Sequence, residues 1–257
     1  MLNRFTKKIK RALVKFSIRR NEKHFVIEEH SLKYYYAPCK GSDALVVVFS
    51  GFSGSGKPAA YNMIASFSKL KANRLYILDD FGFRKGGAYY LGENGTFFVR
   101  DMVLELLKKF NFPNRVFCGS SKGGTAAIYF GLLAGADLVI AGAPQFYIGD
   151  YLMSKPEHIP IFDALAGGHG LKEIEKYNRV LPEVIESGIN KDVTSFLMHY
   201  SPKEHTYSPH ISPMLNLMKS KGYIIDYDVE EYENHSDVAK FFPELCVRKV
   251  NSFLNKN

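Results

Sequence analysis

A short apolar strand, a glycine-rich turn and an alanine-rich helix follow one another without a spare residue at Arg115–Cys118 (RVFC), Gly119-Ser120-Ser121-Lys122-Gly123-Gly124 and Thr125–Gly135 (TAAIYFGLLAG). A strand that enters a helix through so tight a turn belongs to a parallel sheet, because neighbouring parallel strands need a crossover helix between them. The rest of the chain repeats this rhythm. Asp43–Phe49 is a nearly continuous apolar run, as expected of a strand buried on both faces. Further strands are predicted at Arg74–Leu78, 137–141, 194–200 and 223–229, with a hairpin-like pair over 24–38. Helices are predicted over 58–70, 97–110 and 238–254. The stretch Gln145–Asp192 is longer than a connection needs; it reads as an insertion over the strand ends, with a helix near 171–187. The expected fold class is α/β, a mainly parallel sheet with helices on both faces and a helical insertion before the penultimate strand.

At 257 residues, 46% of them hydrophobic, one core is large enough to serve the whole chain. We expect a basic amphipathic arm over 1–22 and one domain over 23–257, the insertion at about 145–192 included. The arm holds Arg4, Lys7, Lys8, Lys10, Arg11, Lys15, Arg19 and Arg20 with no acidic residue, and these eight cations equal the net charge of +8. The body is therefore neutral, which argues against a basic nucleic-acid groove. Phe5, Ile9, Leu13 and Phe16 share one helical face of the arm, a pattern suited to an anionic membrane surface, a protein partner, or packing on the domain itself. No apolar run reaches the ~20 residues of a membrane span, and no signal-peptide core is present. Three distant cysteines, Cys39, Cys118 and Cys246, suggest neither a disulfide framework nor a metal site. The expected location is cytoplasmic, with peripheral attachment at the inner membrane face an option through the arm.

Two motifs compete for the chemistry. Gly119–Gly123 satisfies G-x-S-x-G, in which small neighbours let a sharp strand-to-helix turn expose the Ser121 hydroxyl at a helix N-terminus. Gly51–Lys57 satisfies G-x-x-x-x-G-K after a strand, and Asp79-Asp80 could supply a magnesium-associated carboxylate. Position 58 is proline, however, where a phosphate-binding loop needs Ser or Thr for Mg²⁺. The nucleotide-binding reading therefore ranks second, and the loop containing Phe52 becomes a source of an oxyanion-hole amide, together with the amide of Lys122.

A serine nucleophile requires a base and an orienting acid, which in this arrangement follow it as acid, then histidine. His235 lies between the last strand and the final helix, where the base belongs; His205 and His210 are alternatives, and His199, inside an apolar strand, reads as a core residue. Glu204 is the first carboxylate past the 194–200 strand, with Asp226, Asp228 and Asp150 in reserve.

Taken together these residues resemble the α/β-hydrolase superfamily over roughly 25–254. GSSKGGTAA, GGAYYLGENG at 86–95 and GAPQFYIGDYL at 142–152 resemble the XcbB/CpsF-type capsular polysaccharide biosynthesis proteins, and the chain is similar to the accessory Sec-system O-acetyltransferase. The resemblance implies a Ser-Glu-His triad and favours Glu204 over the nearby aspartates. It implies acyl transfer through Ser121, as esterase or O-acyltransferase, on a glycan or small acyl ester, with no bound cofactor or metal. A catalytically silent subunit of a glycan assembly or export complex is the further alternative.

Overall fold

The structure, a computed structural model, describes residue 18, residues 20–53 and residues 57–255. Most of the arm lies outside the described residues, as does the centre of the Gly51–Lys57 motif.

The described residues form an eight-stranded sheet in the order β1-β2-β4-β3-β5-β6-β7-β8. The hairpin β1 (Glu22–Ile27) and β2 (His30–Ala37) is antiparallel and joins β4 (Asn73–Leu78) along an antiparallel edge. From β4 through β3 (Ala44–Phe49), β5 (Asn114–Ser120), β6 (Leu138–Gly142), β7 (Ser195–Tyr200) and β8 (Ile225–Val229) every pairing is parallel. All six residues of β3 are buried, which is why that segment carries no polar alternation.

Helices cover both faces, because a parallel sheet must bury both. The helix α2 (Lys122–Ala134) packs on β3, β5 and β6, flanked by α1 (Phe98–Lys109). The last helix of the chain crosses β5 and β6 on the other side. Val139 meets the Gly131 position of α2, while Gly142, three residues along the same strand, has room only for hydrogen because Phe242 of that last helix lies against it. An odd separation along a strand sends side chains to opposite faces, so the two contacts mark the two layers.

The segment 58–70, predicted to be helical, is not. It runs without regular structure to one short turn at Ser66–Lys69. Its polar groups are engaged by other loops: the Ala59 amide donates to the Lys85 carbonyl (2.8 Å) and the Gly51 amide donates to Asn62 Oδ1 (3.0 Å). Phe67 and Leu70 are buried, so the apolar spacing that imitates a helix anchors a wrapping loop. The insertion is richer than predicted, holding α3 (Ile148–Met153), α4 (Ile159–Ala166), α5 (Leu171–Asn178) and α6 (Val180–Ser187). The helix α7 (Ser212–Ser220), between β7 and β8, has no counterpart in the sequence reading; the final helix is α8 (Val238–Leu254). Among the described residues, no helix is long and apolar enough to cross a membrane.

Candidate active site

Strand β5 runs two residues past Cys118 and delivers the chain to Ser121, which has φ 55° and ψ −127° and is followed at once by α2. This is a disfavoured conformation for a residue with a Cβ, costing on the order of 1–3 kcal/mol where it occurs. The surroundings fix it. The Ser121 amide donates to the Gly142 carbonyl (2.7 Å), and the Ser121 carbonyl accepts from the amides of Gly124 (2.8 Å) and Thr125 (3.0 Å). The motif's glycines are steric necessities: a Cβ on Gly119 would collide with the Gly123 carbonyl, and one on Gly123 with the Phe49 carbonyl.

Two partners meet the Ser121 hydroxyl. His235 Nε2 is 2.8 Å from Oγ, and Gln145 Nε2 donates to it at 3.0 Å. On the far side of the imidazole, His235 Nδ1 lies 3.0 Å from Glu204 Oε2, while Glu204 Oε1 accepts from Thr206 Oγ1. The Glu204 side chain is fully buried and that of His235 is 18% exposed, so the acid is shielded while the imidazole still reaches the cavity. Glu204 stands in the loop after β7, and His235 in the short turn before α8. Ser201 Oγ ties these loops together, donating to the Tyr232 carbonyl (2.6 Å) and accepting from the Tyr232 amide (3.0 Å).

The other candidates sit elsewhere. His199 is buried with Nδ1 2.8 Å from Asp228 Oδ2, and Asp228 also lies 3.5 Å from Arg248. Asp226 is at the sheet edge on β8, and Asp150 is tied to Asn178. His205 is a ring neighbour of His235, with centroids 5.9 Å apart. His210 Nδ1 accepts from the Tyr147 amide, and burial pushes its imidazole down to about 4.

The loop after β3 sets Gly51 against the turn: a Cβ there would lie 3.1 Å from the Ser120 carbonyl. Phe52 follows and lines the cavity with Ser121. The Lys122 amide is the first of α2, and a first-turn amide has no intrahelical carbonyl to receive it. The loop beyond Lys57 opens no helix, so a phosphate there would lack the helix N-terminus on which a phosphate-binding loop depends.

The Lys122 side chain is a surprise of the fold. It is completely buried, with Nζ 2.6 Å from Asp79 Oδ2 and over the rings of Tyr90 (4.6 Å) and Phe52 (5.2 Å). Burial lowers its affinity for the proton, opposed by the Asp79 charge. Asp79 Oδ2 also accepts from the amides of Ala88 (2.9 Å) and Tyr90 (3.0 Å), and Asp80 is bound to Lys33 (2.6 Å). The two aspartates that resembled magnesium ligands are thus committed to lysines. Neither pair is recognisable from spacing, since 43 and 47 positions separate the partners.

Above these residues lies a cavity of about 700 Å³. Phe52, Lys57 and Arg84 line one side, Tyr151, His158 and Ile161 of the insertion another, and Ser121 and His235 the base. Burial lowers the His158 imidazole and pushes Tyr151 up to about 12, so both are neutral at pH 7.

No protein-family model matches the sequence, and no curated protein matches it. Solved structures do. The Gap123 glycosylation-associated protein complex of Streptococcus agalactiae superposes with a TM-score of 0.73 at 19% identity, over 90% of this chain and 46% of that one. A capsule O-acetyltransferase of Neisseria meningitidis serogroup A, a histidine-to-alanine mutant in complex with CoA, gives 0.72 at 17% identity, covering 89% of this chain and 94% of that one. The Staphylococcus aureus fluorophosphonate-binding serine hydrolase FphF gives 0.61 at 9% identity, covering 91% and 99%. At such identities the likeness is one of architecture, and that architecture is the α/β-hydrolase fold.

Proposed function

We propose that this protein is an acyltransferase that works through a covalent ester on Ser121. The observation that carries this reading is the continuous hydrogen-bonded line from Ser121 Oγ through both nitrogens of His235 to the buried Glu204. In the first half-reaction Oγ attacks the acyl carbonyl as His235 Nε2 takes the hydroxyl proton; the bond to the leaving group breaks, and the imidazolium returns the proton to it. Glu204 holds the Nδ1–H tautomer and stabilises the imidazolium. The amides of Phe52 and Lys122 receive the oxyanion, a contribution of roughly 10²–10³ in rate per donor in such sites. In the second half-reaction the acceptor hydroxyl gives its proton to His235 and its oxygen attacks the ester; the bond from the acyl carbon to Oγ breaks and the imidazolium returns the proton to Oγ, restoring Ser121.

We place the acceptor among surface glycans, so that the reaction is O-acyl transfer in cell-surface polysaccharide biosynthesis; ester hydrolysis is the same chemistry with water as acceptor. The supporting likeness is to the meningococcal capsule O-acetyltransferase, which matches over nearly its whole length. The CoA in that complex suggests a thioester donor, and Lys57 and Arg84 at the cavity rim would suit its phosphates. The N-terminal basic arm would hold the enzyme at the cytoplasmic membrane face or on a partner. The test is intact-mass analysis after incubation with acetyl-CoA or an activated acyl ester. The expected result is an acyl adduct on the native protein that Ser121→Ala lacks. No adduct, together with no fluorophosphonate labelling of Ser121, would instead favour a silent subunit of a glycan assembly complex.

A further inference from the structure

The serine hydroxyl has a second side-chain partner that the mechanism above does not use. We propose that Gln145, held by Tyr89, is a positioning residue that fixes the direction of the Ser121 hydroxyl toward His235; this rests on the reading of Ser121 as nucleophile.

Gln145 follows β6 and is completely buried. Its main chain is locked to α2 on both sides, the Gln145 amide donating to Thr125 Oγ1 and Thr125 Oγ1 donating to the Gln145 carbonyl, each at 2.9 Å. With the main chain held this way, the side chain reaches Ser121 Oγ at 3.0 Å. Two neighbours settle which end of the amide faces the serine. Nε2 also lies 3.4 Å from the Ala143 carbonyl, which can only accept, so an oxygen there would be repelled. Oε1 accepts from the Tyr89 hydroxyl at 3.3 Å. Tyr89 is itself placed with care. It sits at φ 54°, in the loop whose next-door amides, Ala88 and Tyr90, are held by Asp79.

The polarity that results runs one way. Gln145 donates to Oγ, so the proton of Oγ must point elsewhere, and the neighbouring acceptor is His235 Nε2. The imidazole then carries its own proton on Nδ1, toward Glu204. Without the amide, Oγ is free to rotate among its staggered positions, and the hydroxyl is poised only part of the time. The stretch GGAYYLGENG thus has a task in the site, and Tyr89 performs it through Gln145.

Three variants test this, read by the rate of fluorophosphonate labelling and by hydrolysis of p-nitrophenyl acetate. Gln145→Leu keeps the bulk and removes the donor; labelling and kcat should fall roughly 10- to 100-fold with KM little changed, the loss typical of a misplaced nucleophile. Tyr89→Phe, which frees the amide but leaves it in place, should cost about 3- to 10-fold, the scale of one hydrogen bond. Gln145→Glu is the sharpest probe. An ionised carboxylate accepts the serine proton in competition with His235, whereas a protonated carboxyl donates as the amide does. Its rate relative to the native protein should therefore climb as pH falls through the titration of the new carboxyl, a signature no packing defect produces. Should Gln145→Leu fail to fold, this pH-dependent ratio decides alone. Native labelling rates in Gln145→Leu, or a flat ratio for Gln145→Glu, would overturn the positioning role while Ser121→Ala still abolishes labelling. Labelling that survives Ser121→Ala would overturn the nucleophile assignment beneath it.

Discussion

Replacing Lys122 by Met removes one charge from the most deeply buried ion pair among the described residues. Both side chains of the Lys122–Asp79 pair are fully buried. Methionine approximates the lysine stem, so the packing over Tyr90 and Phe52 is largely kept while the ammonium is lost. What remains is an Asp79 carboxylate with two backbone donors and no countercharge, its Oδ1 already without a partner. Breaking a buried pair from one side costs about 3–5 kcal/mol. At about 2–4 °C per kcal/mol for a domain of this size, the melting temperature should fall roughly 6–20 °C. Asp79→Asn should cost less. Burial already weakens proton binding at Lys122, so with a neutral partner the lysine can shed its proton, and the asparagine oxygen still accepts from Ala88 and Tyr90. The sign of the pH effect follows. A folded-state lysine depressed below its unfolded value binds fewer protons than the unfolded chain, so the stability of Asp79→Asn should rise with pH. Adding Asp79→Asn to Lys122→Met should recover much of the loss, since it removes the stranded charge. The assay is thermal or urea denaturation of the three proteins across pH 6–9. A Lys122→Met protein melting within about 2 °C of native would show that leaving the buried Asp79 carboxylate without its lysine costs little, against this reasoning.

Glu204→Gln should leave the fold intact and lower the esterolytic kcat by roughly 10³–10⁴-fold, because an amide can no longer hold the Nδ1–H tautomer and stabilise the imidazolium; a loss below tenfold would argue against Glu204 as the orienting acid. Ser121→Gly should abolish labelling yet stabilise the protein by about 1 kcal/mol or more, since glycine adopts φ 55° without the Cβ penalty; an unchanged or lower melting temperature would deny strain at the turn. Between pH 6.5 and about 4 the protein should lose stability through His210: its folded imidazole is held down to about 4 by burial, with Asp150 opposing and His205 and His235 adding to the shift, while the unfolded one protonates near 6.5. That contribution is present in full above 6.5 and fades as pH falls, so His210→Gln should flatten the acid side of a melting-temperature profile.

Much of this was legible in the chain because its signals are local. The uniform apolarity of Ala44–Phe49, the small residues around Ser121 and the position of His235 before the last helix each follow from chemistry within a few residues. The parallel order, the antiparallel hairpin edge and the insertion before β7 follow from the alternation of such segments. The reading failed where local pattern and tertiary demand disagree. Residues 58–70 have helix-like apolar spacing, yet Pro58 opens the segment and the Ala59 amide donates to the Lys85 carbonyl, in a loop far away in sequence. α7 is short and carries Pro213 in its first turn, with too little periodicity to stand out.

The sequence by itself determined the fold class, the strained turn at Ser121 and the order in which a nucleophile, an acid and a base would follow one another, because all three depend on residue type and spacing along the chain. Only the tertiary structure decided which imidazole faces the serine, that Ser201 and Tyr232 clasp the loops of Glu204 and His235 together, and that Asp79 belongs to Lys122. It alone showed Gln145 beside the hydroxyl. Those partners lie 24 to 114 positions apart, and their contact is set by how strands register across the sheet, a property no local stretch of sequence contains.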